Sequence, residues 1–144
     1  MARHQKIKYC NGNCFYSAPL LYGKTNLRPY RDFYCYFIAE HTHDPEYIRQ
    51  QMIQLLMSQC YGFDFFGVHS KVWAQELYTA DRMIYSSTEQ RYYLNQWDHI
   101  NDFVGALRGI LSCHPLVPHD VYLIYDDAEI YQKVLDMLGC KEGK

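Results

Sequence analysis

Glu40-His41-Thr42-His43-Asp44 is the densest group of metal-capable and proton-handling side chains in the 144-residue chain. In an extended strand alternate side chains share a face, so His41 and His43 would point the same way and could hold one metal ion. Glu40 or Asp44 could add an oxygen ligand. The same residues have a simpler use. Asp44 followed by Pro45 is a strong helix start, because an Asp side chain accepts from the free N–H groups of the first turn and the fixed φ of proline suits the first helical position. That preference accounts for Asp44 and Pro45 without a metal, and the segment then reads as a strand exit joined to a helix cap.

The remaining motifs are incomplete. The spacing of His41 and His43 resembles that of the rolling-circle nucleases, but Thr42 stands where those proteins carry a bulky apolar residue, and no tyrosine is singled out as a nucleophile. Cys10-Asn-Gly-Asn-Cys14 resembles half of a zinc knuckle, a turn presenting two thiolates. A second pair is missing, and only His4, or His41 and His43 folded nearby, could complete four ligands. Gly23-Lys24-Thr25 resembles the end of a phosphate-binding loop, yet Ala18 occupies a required glycine position, Pro19 follows it, and no helix starts after Thr25. Tyr61 to Val68 is similar over eight residues to the aromatic strand of RNA-recognition modules, with Tyr61, Asp64 and Val68 departing from that pattern. His114, His119 and Asp120 precede the last strand, Asp120 as a turn residue, and Asp126-Asp127 follow it as a helix cap. No Gly-x-Ser-x-Gly or nucleotide fingerprint is present.

The elements that must position these residues follow from periodicity. Phe33 to Ala39 is a continuous aromatic and β-prone run, typical of a strand buried on both faces and central in a sheet. Ile48, Met52, Leu55, Leu56 and Cys60 then recur at helical spacing, with Gly62 placed as the C-terminal cap. Before them, Lys6–Tyr9 and Cys14–Tyr16 form a hairpin across Asn11-Gly12, and Pro19 to Pro29 reads as a loop. Phe63 to Val68 is a short strand with a bulge at Gly67. Lys71 to Tyr85 fits either a helix or two strands turning at Thr79–Arg82, and a need for more strands favours the second. Ser86 to Gln96 reads as a loop. A helix from Asp98 carries Phe103, Val104, Leu107 and Leu111, with Gly105 and Gly109 allowing close packing on the sheet. Val121–Tyr125 is a buried strand, and Asp126 or Asp127 caps a last helix closed by Gly139.

These elements predict one α+β domain over residues 1–144: a two-layer sandwich with a small, mainly antiparallel sheet and two to three helices on one face. The plan is ferredoxin-like with an N-terminal hairpin and a C-terminal helix added. No apolar run reaches the length of a membrane span and the first residues lack the apolar block of a secretory signal, so a cytoplasmic protein is expected. The six cysteines are expected to be reduced, with Cys35, Cys60 and Cys113 in apolar segments.

Charge is unevenly divided. Residues 1–31 hold Arg3, Lys6, Lys8, Lys24, Arg28 and Arg31 and no carboxylate, a local charge of +6; since the total is −2, the acidic body over residues 32–144 carries −8. Fifteen tyrosines are more than a core of this size would hold with every hydroxyl bonded, so many should reach the surface, where binding surfaces favour them. The first expectation is therefore a small non-enzymatic binding protein that occupies a partner's surface. Its contacts would be Lys6, Lys8, Tyr9, Tyr16, Tyr22, Lys24, Arg28, Tyr30 and Arg31, and a regulator or inhibitor of nucleic-acid-handling machinery would suit the charge split. The second is direct nucleic-acid binding through residues 1–31. The third is a metal-dependent hydrolase or nuclease at His41 and His43. No cofactor is required, a structural zinc at Cys10 and Cys14 being the exception considered.

Overall fold

Three segments are buried along nearly their whole length, and they set the architecture: β3 (Phe33–Ile38), β4 (Cys60–Phe66) and β6 (Asp120–Tyr125). A strand buried on both faces needs cover on both faces, which parallel sheets obtain from the helices of their crossovers. The computed structural model describes residues 5–7, 14–20, 33–85, 92–112 and 119–140. The other elements are β1 (Gln5–Ile7), β2 (Cys14–Pro19), α1 (Pro45–Met57), α2 (Ser70–Ile84), β5 (Tyr93–Trp97), α3 (Ile100–Ser112) and α4 (Ala128–Leu138). The strands form one sheet in the order β1-β2-β6-β3-β4-β5. Only the short β1 is antiparallel to its neighbour; β2, β6, β3, β4 and β5 are parallel throughout.

This overturns the expected antiparallel two-layer sandwich. Two helices cover each face. On one, Ile48, Met52 and Leu55 of α1 and Trp73, Ala74 and Leu77 of α2 pack on Phe33, Cys35, Phe37, Phe63 and Phe65. On the other, Phe103, Val104 and Leu107 of α3 and Tyr131, Val134 and Leu135 of α4 pack on Phe15, Tyr36, Ile38, Val121 and Leu123. Alternating strands and helices with both faces covered make a three-layer α/β domain.

Two local expectations change with it. Residues 70–84 are one helix rather than two strands, and Trp73, Leu77 and Ala80 are the buried stripe. Tyr93–Trp97, expected as loop up to Gln96, pairs with β4 from Gly62↔Tyr93 to Phe66↔Trp97. As an edge strand it is half exposed, and that is why its apolar signal is weak. The antiparallel pairing of Gln5–Ile7 with β2, at Gln5↔Ser17 and Ile7↔Phe15, agrees with the expected hairpin. Its turn at Asn11-Gly12, the loop over 21–32 and Cys113 lie outside the described residues.

Glycine positions are reassigned. α1 ends at Met57 and Gln59 takes the positive φ of 65°, so Gly62 is not a cap. It lies within β4, where a Cβ would come 2.6 Å from Cδ1 of Tyr34. Gly67 is a turn rather than a bulge: its φ is +126°, and a Cβ there would lie 2.4 Å from the Ala39 carbonyl oxygen. Gly105 and Gly109 face open space instead of the sheet. Asp120 is a buried strand residue, not a turn. No helix among the described residues is long and apolar enough to cross a membrane.

Candidate functional site

β3 and β6 are parallel neighbours, but the helices that follow them, α1 and α4, lie on opposite faces of the sheet. The chain therefore diverges at their carboxyl ends, the place where open α/β sheets bind ligands. Glu40–Asp44 leaves β3 at that point and Asp126-Asp127 leaves β6.

Asp126 joins the two exits. Its N–H donates to the Ile38 carbonyl at 3.2 Å. Its Oδ1 accepts from the Glu40 N–H at 2.9 Å, and its Oδ2 accepts from the His41 N–H and from His43 Nε2, each at 2.9 Å. The Asp126 and His43 side chains are 2 % and 9 % exposed. His43 is also edge-on to Trp73, with ring centroids 6.0 Å apart. The sequence assigned Asp126 no role beyond a possible cap, whereas it is the hub of the turn.

Asp127 is the cap. Its Oδ1 accepts from the Ile130 N–H at 2.9 Å, and its Oδ2 lies 3.0 Å from His41 Nε2. The Ile130 bond first, and then His41, hold its carboxyl below the usual carboxylate range despite some desolvation. A carboxylate that stays ionised only accepts, so His41 donates through Nε2. The His41 side chain is 56 % exposed. An accessible imidazole oriented by a carboxylate is the arrangement of a general acid–base group.

The loop after β4 supplies the third side. The His69 N–H donates to the Ala39 carbonyl at 3.0 Å, the Val68 N–H to Glu40 Oε2 at 3.3 Å, and His69 Nε2 lies 3.2 Å from Thr42 Oγ1. Asp44 caps α1 as expected, accepting from the Glu46 N–H at 3.0 Å, with Pro45 in the first turn.

His41 and His43 do not share a face as a continued strand would have them, because the strand ends at Ile38 and each ring turns to a different aspartate. Among the described residues no group of three or more His, Cys, Asp or Glu is placed to hold an ion. Cys14 opens β2 at the amino edge of the sheet. A strand of six residues separates that edge from the strand exits that carry His41 and His43 by about 20 Å. Cys10 lies outside the described residues, as do Lys8, Tyr9, Tyr22, Lys24, Arg28, Tyr30, Arg31 and the side chain of Lys6. Tyr16 is stacked on Tyr122 at 5.3 Å and packs against the core.

The expected tyrosine surface is also reduced. Among the described residues Tyr61, Tyr78 and Tyr93 are exposed, while Tyr36, Tyr92, Tyr122 and Tyr131 are buried. Interior partners make this possible, as where the Tyr131 hydroxyl meets Ser17 Oγ at 2.7 Å.

Fold and edge together define an open, doubly wound α/β domain with a histidine–aspartate site at its switch point. No protein-family model, curated protein or solved structure matches the chain.

Proposed function

We propose that the protein binds a small polar molecule on the carboxyl edge of its sheet and transfers a proton to or from it through His41. The supporting observation is the accessible His41 ring held by Asp127 where the chain diverges between β3 and β6. In this reading Asp127 fixes the ring and its tautomer, and Asp126 fixes the loop through two backbone N–H groups and His43. Thr42 and His69 offer further polar contacts beside it. Every carboxylate here already has a bonded partner, which favours a polar ligand over a bare cation.

Ligand-observed NMR of nucleotide, sugar, amino-acid and carboxylic-acid mixtures tests this. The expected result is a compound that binds the wild type, shifts the amides of Glu40–His43 and Asp127, and is converted by the wild type but not by His41→Ala. Binding that maps elsewhere, or conversion unchanged in His41→Ala, overturns it.

A second reading rests on charge. The +6 of residues 1–31 beside the −8 of the remainder supports recognition of a nucleic acid, or of a protein that handles one, by Lys6, Lys8, Arg28, Arg31 and the rings among them. Affinity for single-stranded nucleic acid should then fall steeply with salt, and fall again when those four cations are neutralised together. Salt-insensitive binding, or none, removes the nucleic-acid version. Capture from the host's lysate that depends on the four cations supports the protein version, and capture that does not removes it.

A further inference from the structure

The two edge strands of the sheet are defended unequally. β1 is three residues long and carries Lys6, the short, charged kind of edge that resists further pairing. β5 at the other end, Tyr93-Leu94-Asn95-Gln96-Trp97, has no charge, no proline and an unbroken register with β4. Among the described residues no strand pairs with its outer side, so alternate N–H and C=O groups of β5 face outward. The side chains agree. The exposed large apolar residues among the described ones lie on β4, α2, β5, the end of α1 or the turn after β4, and none lies on β2, β3, β6, α3 or α4.

Alternation along β5 sets Tyr93, Asn95 and Trp97 on the α3 side, where Trp97 packs, and Leu94 and Gln96 on the α2 side, where Leu94 packs. Tyr93 is 72 % exposed. On α2, Glu76 faces α1 through Arg49 Nε at 2.7 Å. Tyr78 follows two residues on, about 200° round the helix, so it stands on the flank away from α1, where it is 54 % exposed. Burial first, then the charge of Asp81 and then Tyr78 push the Tyr92 hydroxyl up to about 12, which puts Tyr78 beside the residue that leads into β5. The exposed Arg82 lies over the Tyr78 ring, 5.9 Å from its centroid.

We propose that β5 pairs antiparallel with β5 of a second copy of this chain, about a two-fold axis at Asn95, and joins two sheets into one. The strand is self-complementary in that register. Tyr93 of each copy falls opposite Trp97 of the other, an aromatic cross-strand pair made twice, and Leu94 falls opposite Gln96. Asp98, next on the α2 side and exposed, falls opposite Tyr92 of the second copy, where Arg82 offers the opposite charge. A tyrosine side chain has about 200 Å² to bury, so Tyr93 and Tyr78 of two copies leave about 500 Å² exposed, half of the roughly 1,000 Å² that a specific interface needs. The strand itself, with Leu94, Asn95 and Gln96, supplies further area. A two-fold axis closes the pairing at a dimer. The proposal is independent of the chemistry proposed at His41.

Sedimentation equilibrium and amide hydrogen exchange of the wild type, over a series from about 1 µM to 1 mM, test this. A dimer is expected, with alternate amides of Tyr93–Trp97 slowing as it forms. Tyr93→Lys, at an exposed position, should weaken the dimer about tenfold or more, because the two-fold loses two aromatic pairs at once, and should leave the Tm of the monomer unchanged. Arg82→Glu and Asp98→Lys should each weaken the dimer and their combination restore it, a result particular to this register and independent of whether the Tyr93 variant folds. A monomer at every concentration, an open series of larger assemblies, a dimer indifferent to Tyr93→Lys, or a charge swap without rescue overturns the proposal. So does slowing of the β5 amides only when host lysate is added, which would assign the edge to a strand of another protein.

Discussion

His43 and Asp126 face each other across the carboxyl ends of β3 and β6, Nε2 to Oδ2 at 2.9 Å, with both side chains nearly sealed from solvent. Removing the carboxylate takes one bond from the ring and strands the N–H groups of Glu40 and His41. Asp126→Ala is expected to cost about 3–5 kcal/mol, the range for breaking a buried pair. Asp127→Ala, which removes a cap and a more exposed contact, should cost about 1 kcal/mol. Urea denaturation of both variants measures the difference, and equal losses would show that Asp126 is not the hub.

Asp127 carries a pH signature. Its folded-state pKa is depressed, chiefly by the Ile130 N–H and then by His41. The stabilisation it gives is full above about pH 4, the unfolded value, and is lost as the pH falls through the folded value. Asp127→Asn keeps a good cap but removes the ionisation. Its Tm should lie below that of the wild type at neutral pH, with the gap closing in acid. A constant gap would mean that the charge contributes nothing.

Asp64 behaves in the opposite sense. Burial raises its pKa, against the lowering bonds from Trp97 and Asn95, the former at 2.6 Å to Oδ2. A raised carboxyl favours the native state below about pH 4, and that contribution is lost as the pH rises through the folded value. Asp64→Asn can still accept from Trp97, so its stability relative to the wild type should improve between pH 4 and 7. Thermal melts across that range would show a flat difference if burial of the charge were unimportant.

The glycines divide by environment. A Cβ at Gly105 or Gly109 meets nothing within 4 Å, so each Gly→Ala change in α3 should stabilise by about 1 kcal/mol. Gly67→Ala should destabilise by about 3 kcal/mol or more, because φ is +126° and the new atom would meet the Ala39 backbone. Denaturation midpoints of the three variants check both signs.

Much of the local structure was legible. The Asp44-Pro45 start, the Gly139 stop with its φ of 74° and the apolar strands Phe33–Ile38 and Val121–Tyr125 follow from side-chain chemistry acting over a few residues. The burial of β3 on both faces was also readable, and it conflicts with a sheet covered on one face only. A sheet covered on both faces needs a helix at 70–84 and places its ligand edge at the strand exits, where Glu40–Asp44 and Asp126-Asp127 stand. β5 was hidden because an edge strand needs no continuous apolar pattern.

By itself the sequence determined which segments are strands or helices wherever periodicity, caps and breakers act locally, and it determined the charge division between residues 1–31 and the rest. Only the tertiary structure decided that β3 and β6 are neighbours. That adjacency brings His41 and His43 to Asp127 and Asp126, residues some eighty positions away. Strand order is set by which apolar faces bury one another across the whole domain, and no local pattern encodes it.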